Sequence, residues 1–128
     1  MLVYMPIIST IDTAQRRVIT ECQGVLTLQD FIYYHQSVWI LPEVFGFDEI
    51  FDASHCDASQ LNYSDLLNLV ANAIQLSNVL PQSKSAVIIT PDEQPLYDFY
   101  LTARQSFSNN APQIGAFYNR KDALAWLS

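Results

Sequence analysis

Glycine is scarce in this chain, with three residues among 128, and no two of the three lie close together. Phosphate-binding loops and dinucleotide fingerprints need several glycines within a few residues, because the backbone must closely approach the phosphate. The sequence therefore does not support nucleotide binding by either route. We expect the protein to work without a cofactor.

Basic residues are also few, with six Lys and Arg against thirteen Asp and Glu, a formal charge of -7 and a pI near 4.4. The field of such a protein repels nucleic-acid backbones and anionic lipid headgroups. No apolar run approaches the roughly 18 residues that a membrane-spanning helix needs. We therefore expect neither nucleic acid nor a membrane as a partner.

Cysteine occurs twice, as Cys22 and Cys56. Two cysteines are too few for a disulfide framework or a four-cysteine zinc site, which favours a reducing compartment. Residues 1–11 contain apolar side chains but no basic leader, so we predict a strand there instead of a signal peptide. These features predict a cytoplasmic location.

Hydrophobic residues are abundant, at 50% of the chain, and aromatics make up 12%. A chain of this length can bury a sufficient core as one unit. We therefore predict a single domain over residues 1–128, with residues 1–4 as a candidate N-terminal extension before Met5.

The first half of the chain predicts a hairpin, a helix and a strand. β-Branched residues in segments 6–11 and 17–22 flank a polar turn. Thr27 can cap a helix that starts near Leu28 and ends at Pro42. Its apolar stripe consists of Leu28, Phe31, Ile32, His35, Val38 and Trp39. A short strand over residues 48–52 and a polar loop over residues 53–60 follow.

The second half alternates helices with strands. A helix capped by Asn62 or Ser64 precedes the apolar strand 86–89, which the pattern predicts to be buried on both faces. A third helix carries an apolar stripe that includes Phe107 and stops at residues 109–110. The last strand covers residues 114–117, and Asn119 opens a final helix.

This order, β-β-α-β-α-β-α-β-α, predicts an α/β fold with a mixed, mostly parallel five-stranded sheet and about four helices. Phe51 and residues 87–89 should lie on adjacent inner strands. Ligand sites of parallel sheets lie at the carboxyl ends of the strands. That rule indicates residues 52–54, 62–64, 90–92 and 118–119.

Four features of the sequence stand out together: residues 24–27 (Gly-Val-Leu-Thr), Asp52 at the end of a strand, residues 62–65 (Asn-Tyr-Ser-Asp), and the ending Ala-Leu-Ala-Trp-Leu over residues 123–127. In these features the chain resembles the STAS family, and more closely its SpoIIAA-like branch. The resemblance extends over nearly the whole chain, residues 6–128. It implies the SpoIIAA/STAS-like arrangement of strands and helices.

STAS domains are non-enzymatic modules that bind protein partners, and their best-known members antagonise anti-sigma factors under the control of a phosphorylated serine. The family's motif, Asp-Ser-x-Gly-Leu, corresponds here to residues 62–66, where Asn62, Tyr63 and Asp65 depart from it. A shift of one residue instead puts Ser64 at the phosphorylated position, with Tyr63 in place of the aspartate and Leu66 in place of the glycine. The resemblance thus implies a regulatory or scaffolding domain that binds a partner or itself, with a degenerate phosphorylation motif. Its candidate interaction residues are Asp52, Ser54, Asn62, Tyr63 and Ser64.

Two alternatives remain open. One is a carrier of a small apolar ligand or lipid, with a pocket between the first helix, bearing His35 and Trp39, and the sheet. His35 could equally be a core histidine bonded to a carbonyl, and Trp39 a packing residue. The other alternative is a thiol enzyme using Cys56 beside His55. Because no third orienting residue can be named and the spacing fits no zinc site, we expect neither catalysis nor a metal.

Overall fold

A computed structural model of the chain describes residues 6–79, 84–107 and 113–128. Strands β1 (Ile7–Asp12) and β2 (Arg17–Val25) form the predicted hairpin. The remaining elements are α1 (Leu28–Ser37), β3 (Asp48–Asp57), α2 (Tyr63–Val79), β4 (Lys84–Ile88), α3 (Gln94–Phe107), β5 (Gln113–Phe117) and α4 (Arg120–Leu127). Short 3-10 turns cover Pro42–Val44 and Pro91–Glu93.

The five strands form one mixed sheet in the order β1-β2-β3-β4-β5. The β1–β2 pair is antiparallel and the other three pairs are parallel. Phe51 pairs with Val87 across β3 and β4, so the expected adjacency of these inner strands is confirmed. The prediction of an α/β fold with a five-stranded mixed sheet and four helices is confirmed as well.

The helices are divided between the two faces of the sheet. Right-handed crossovers between neighbouring parallel strands bring their helices to the same face. Accordingly α1 packs on α2 and α2 on α3, whereas α4 packs on β3, β4 and β5. None of the helices in the described ranges is both long and apolar enough to span a bilayer.

The α4 face is packed closely because its contact residues are small. Ala86 and Ala123 are fully buried there, beside Ile50 and Leu127. A Cβ atom on Gly115 would lie 3.0 Å from the ring of Phe117, so this strand position leaves no space for a side chain. The opposite face carries larger side chains and, as described below, encloses free space.

Strand β3 is longer than predicted, because residues 53–57 continue it instead of forming a loop. The partner strand explains the difference: β2 runs on to Val25 and pairs with Asp57. The register shifts between Glu21 and Gln23 of β2, which places one extra residue in β3 as a bulge. Asp52 therefore lies inside the strand and does not end it.

Helix α1 is shorter than predicted. Its start is as expected, since Thr27 and Asp30 form a reciprocal capping box. It ends at Ser37, and a tight turn follows in which the amide of Leu41 donates to the carbonyl of Val38 at 3.2 Å. The ring of Pro42 disfavours helical backbone at Leu41, so the helix cannot continue through that residue.

Phe107, the last member of the apolar stripe on the third helix, lies in the helix as expected, but its side chain is 68% exposed. It is the last residue of α3, beyond the part of the helix that covers the sheet. The predicted stop at residues 109–110 lies outside the described residues.

Candidate functional site

A cavity of about 140 Å³, partly open to solvent, lies between the sheet and helices α1, α2 and α3. A cavity of about 150 Å³ is large enough to admit benzene. The side chains that line it come mainly from β3, β4 and the three helices: Leu26, Phe31, Tyr34, His35, Trp39, Glu49, Phe51, Ala53, Cys56, Ala58, Leu61, Leu66, Leu69, Ala73, Leu76, Ser85, Val87, Ile89, Glu93, Leu96, Tyr97, Tyr100, Arg104 and Ile114.

The polar side chains of this cavity gather mostly at one end. Glu49 and Ser85 are the second residues of β3 and β4, and they stand opposite each other in the parallel register. The crossover helices run back towards the amino ends of the strands. Hence His35 in α1 and Arg104 in α3, both late in their helices, come to the same end. We call it the polar end of the cavity.

Five side chains form a chain of hydrogen bonds at this end. The hydroxyl of Thr20 donates to that of Tyr34 at 2.9 Å, and Tyr34 donates to Oε2 of Glu49 at 2.5 Å. Ser85 bonds to the other carboxyl oxygen, Oε1. The hydroxyl oxygens of Ser9 and Thr20 are 2.9 Å apart. The hydroxyl hydrogen of Thr20 is donated to Tyr34, so Ser9 must be the donor in its bond with Thr20. The donated hydrogens therefore all lead towards the Glu49 carboxyl group.

The chain of hydrogen bonds is self-contained and largely buried. Thr20 is fully buried, and Tyr34 is 3% exposed. Burial, together with the adjacent Glu49 carboxyl, raises the pKa of Tyr34 well above its usual value of 10.0. The phenol is therefore a permanent donor. Glu49 is half-buried, and a carboxylate that is partly removed from water is stabilised when such donors satisfy it, so this chain of hydrogen bonds supports the fold.

A second polar group at the same end consists of His35, Tyr100 and Arg104. Arg104 is 4% exposed, and its Nη1 donates to the hydroxyl of Tyr100 at 3.4 Å. Burial, with a smaller contribution from the Arg104 charge, lowers the pKa of His35 to about 4. Burial raises the pKa of Tyr100, although the Arg104 charge opposes that shift. A neutral imidazole and a neutral phenol thus lie near a buried cation.

The opposite end of the cavity holds Cys56. Its Sγ lies 3.1 Å from the carbonyl of Ala53 and 3.8 Å from Oε2 of Glu93. A hydrogen bond with Cys22, burial and the Glu93 charge all raise the pKa of Cys56. A thiol that stays protonated is a poor nucleophile.

His55 gives no support to a nucleophilic Cys56. Neighbouring residues of a strand point to opposite faces, and His55 is exposed whereas Cys56 faces the cavity. Within the described residues, no group of three or more His, Cys, Asp or Glu side chains is arranged to hold a metal ion. His55 and Cys56 therefore do not form a base–nucleophile pair.

The predicted interaction residues fall into two groups on opposite sides of the sheet. Asp52 Oδ1 accepts from both the amide, at 3.0 Å, and the hydroxyl, at 2.5 Å, of Ser54. Asp52 Oδ2 lies 3.8 Å from the guanidinium of Arg120, at the start of α4. This pair therefore belongs to the α4 side.

Asn62, Tyr63 and Ser64 lie at the start of α2, on the side of the three helices, and all are exposed. Asn62 Oδ1 accepts from the Asp65 amide at 2.8 Å, and Asp65 Oδ2 accepts from the Asn62 amide at 3.2 Å. The ring of Tyr63, 61% exposed, packs against Phe99 with centroids 4.7 Å apart. Asp65, which departs from the STAS motif, serves here as a helix cap.

His35 and Trp39, the residues predicted for a pocket under the first helix, both line the cavity. Trp39 is buried in the turn after α1. The carbonyl bond considered for His35 is absent: its Nδ1 has no hydrogen-bond partner among the described residues. The ring instead lies beside Tyr34, with centroids 5.6 Å apart.

Sequence reasoning missed four residues of the polar end, namely Glu49, Ser85, Tyr100 and Arg104. One signal was present in the period-two pattern of β3, where Glu49 precedes the buried Phe51 by two residues and so shares its face. Arg104 follows Tyr100 by four residues, which is the helical spacing for one stripe.

No protein-family model matches the chain, and no curated protein matches it.

Replacement of Tyr34 by Phe should destabilise the fold, because it leaves the Thr20 donor and one oxygen of Glu49 without their buried partner. We expect a loss of about 1–3 kcal/mol in the free energy of unfolding, measured by urea denaturation. Tyr33→Phe is the matched control, since Tyr33 is the preceding residue of α1 and is 68% exposed. Equal stability of the two variants would contradict the role of the hydrogen-bond chain.

The low pKa of His35 predicts a loss of stability in acid. The pKa of His35 is 6.5 in the unfolded chain and about 4 in the folded chain. At a pH between these two values, His35 is protonated in the unfolded chain but neutral in the folded one. Unfolding should therefore become easier by about 2 kcal/mol as the pH falls through this interval. His35→Gln should remove this component, seen as a shallower fall in urea midpoint with pH. Parallel curves for the two proteins would refute the assignment.

Proposed function

We propose that this domain binds a small, mostly apolar molecule in the cavity between the sheet and the three helices. The observation that carries the proposal is the composition of the cavity wall, in which apolar side chains surround a few polar groups gathered mostly at one end. Ligand sites in proteins typically combine an apolar wall with a small number of placed polar groups. His35 and Trp39 contribute one polar and one aromatic part of that wall.

The volume limits the size of the ligand. At about 140 Å³ the cavity accommodates a single ring or a short aliphatic chain. A diacyl lipid is far larger than that. Of the two ligands considered from the sequence, a small apolar molecule is therefore the better supported.

Binding without turnover is the activity that the polar groups favour. Both oxygens of Glu49 accept hydroxyl hydrogens, and raised pKa values keep Tyr34 and Cys56 protonated. A general base or nucleophile would need a free carboxylate or a thiolate. The proposal is thus of a binding protein and not of an enzyme.

Filling the cavity tests this function. Ala73 of α2 is buried and lines the cavity, so Ala73→Phe should occupy the space and abolish binding of a ring-sized probe such as phenylacetate. Ala71→Phe is the control, because Ala71 is exposed on the same helix. Binding is measured by titration calorimetry or ligand-detected NMR. The fold of Ala73→Phe is verified by circular dichroism. If this variant still binds the probe undiminished, the probe binds outside the cavity and the proposed site is wrong.

A second candidate function is that of a cytoplasmic SpoIIAA/STAS-like module that binds a protein partner or a second copy of itself. The order of elements and the mixed sheet support the kinship, and the free Cys22 and Cys56 support a reducing compartment. Tyr63 and Ser64 are exposed at the start of α2. A phosphate on Ser64 would lie at the positive end of that helix.

The second candidate predicts a stoichiometric complex that depends on the start of α2. Tyr63→Arg should weaken the complex by tenfold or more, because the aromatic ring that the partner would cover is replaced by a charge. Ala73→Phe should leave the complex intact. Tyr33→Arg changes another exposed tyrosine and is the control. Sedimentation velocity measures self-association, and co-purification from the native lysate detects another partner. A monomer that retrieves no partner would dismiss this candidate.

A further inference from the structure

Two side chains at the polar end of the cavity have hydrogen-bonding capacity that no described residue uses. The Nδ1 atom of His35 is buried, and no described residue bonds to it. The hydroxyl oxygen of Tyr100 accepts from Arg104 at 3.4 Å, but no described residue accepts the hydrogen of that hydroxyl. Both side chains line the cavity. Because a buried polar group without a partner is unfavourable, both positions favour a molecule that supplies the missing bonds.

These two groups lie within reach of one small molecule. The guanidinium of Arg104 bonds to Tyr100, and its charge acts on the pKa of His35 and on that of Tyr100, so both rings lie near it. The cavity that they share has a volume of only about 140 Å³. A single polar group placed at this end can therefore contact both.

The charges at the polar end offset one another. Arg104 has its own partners within the protein, and the carboxyl oxygens of Glu49 accept from Tyr34 and Ser85. The two charges act on the pKa of Tyr100 in opposite directions. An anionic ligand would meet the repulsion of Glu49 and a cationic ligand that of Arg104, and either would lose its hydration. The polar end therefore favours an uncharged ligand.

A hydroxyl group matches both of the unused groups. Burial lowers the pKa of His35 to about 4, so its imidazole is neutral at physiological pH, with one nitrogen as donor and the other as acceptor. A ligand hydroxyl can accept the hydrogen of Tyr100. It can also accept from Nδ1 of His35, or donate to it, whichever nitrogen carries the hydrogen. A ketone or an ether could only accept.

We propose that the cavity binds a small uncharged alcohol, whose hydroxyl group bonds to Tyr100 and His35 while its apolar body lies among Phe51, Leu69 and Val87. This inference rests on the proposed function, since it names the class of ligand for the same cavity. The volume of the cavity limits the body to about one aromatic ring or a short aliphatic chain. Benzyl alcohol is a simple member of this class.

Matched ligands with one body test the preference for an uncharged polar group. Benzyl alcohol, benzylamine and benzoate share one ring, and ethylbenzene carries a methyl group in place of the hydroxyl. Each is titrated into the full chain near neutral pH by calorimetry or ligand-detected NMR. We expect benzylamine and benzoate to bind about tenfold or more weakly than benzyl alcohol. Equal or tighter binding of either ion would overturn the uncharged class.

Two variants connect the hydroxyl group of the ligand to the protein. Tyr100→Phe should weaken binding of benzyl alcohol by about threefold to tenfold, because one hydrogen bond is lost. Ethylbenzene forms no such bond and should bind this variant at least as tightly as before. His35→Phe should act in the same way, and it decides if Tyr100→Phe does not fold. Tyr33→Phe is the control, since Tyr33 is 68% exposed, and it should alter neither affinity.

The outcomes separate this inference from the proposed function. If the affinities of benzyl alcohol and ethylbenzene change in parallel in the folded variants, or do not change, while Ala73→Phe blocks both ligands, the cavity binds apolar molecules but the hydroxyl assignment is overturned. If none of the four compounds binds, or if Ala73→Phe leaves their binding undiminished, the proposed function itself fails, and the alcohol site fails with it.

Discussion

The hydrogen bond from the Tyr34 hydroxyl to Glu49 is the interaction on which the rest of this architecture depends. It connects the first crossover helix to the central strand, and the acceptor is a carboxyl group facing an apolar interior. Without this donor and Ser85, the half-buried carboxyl group would be partly desolvated with no hydrogen-bond donor to compensate. The bond therefore fixes the position of α1 over the sheet, and α1 forms part of the wall of the cavity.

The two faces of the sheet differ in how closely the helices pack on them. On one face, Ala86, Gly115 and Ala123 let α4 approach closely, and large side chains fill the remaining space. On the other face, three helices carry aromatic and leucine side chains that keep them further from the strands, and polar groups bonded to one another occupy one end. Closely packed interiors leave few voids larger than a water molecule. The cavity of about 140 Å³ under α1, α2 and α3 thus belongs to the layer with the larger side chains.

The sequence predicted what depends on local spacing. Three features were predicted because each signal lies within a few residues: the capping box at Thr27, the cap at Asn119 and the apolar strand around Val87. The extension of β3 could not be predicted from the sequence, because residues 53–57 form a strand by pairing with the continuation of β2. The polar end was missed for the same reason: Glu49 carries its period-two signal, yet its partner Tyr34 lies 15 residues earlier.

The location of the cavity follows from the order of the strands. The rule that ligands bind at the carboxyl ends of parallel strands depends on a crevice that opens where successive crossovers diverge to opposite faces. Here the strand order is sequential, and α1, α2 and α3 all lie on one face, so neighbouring connections do not diverge between the parallel strands. Space for a ligand therefore arises between the layers instead of at the edge. Because the helices return to the amino ends of the strands, Arg104 and His35 meet Glu49 and Ser85 there, at the end opposite to the one that the rule indicates.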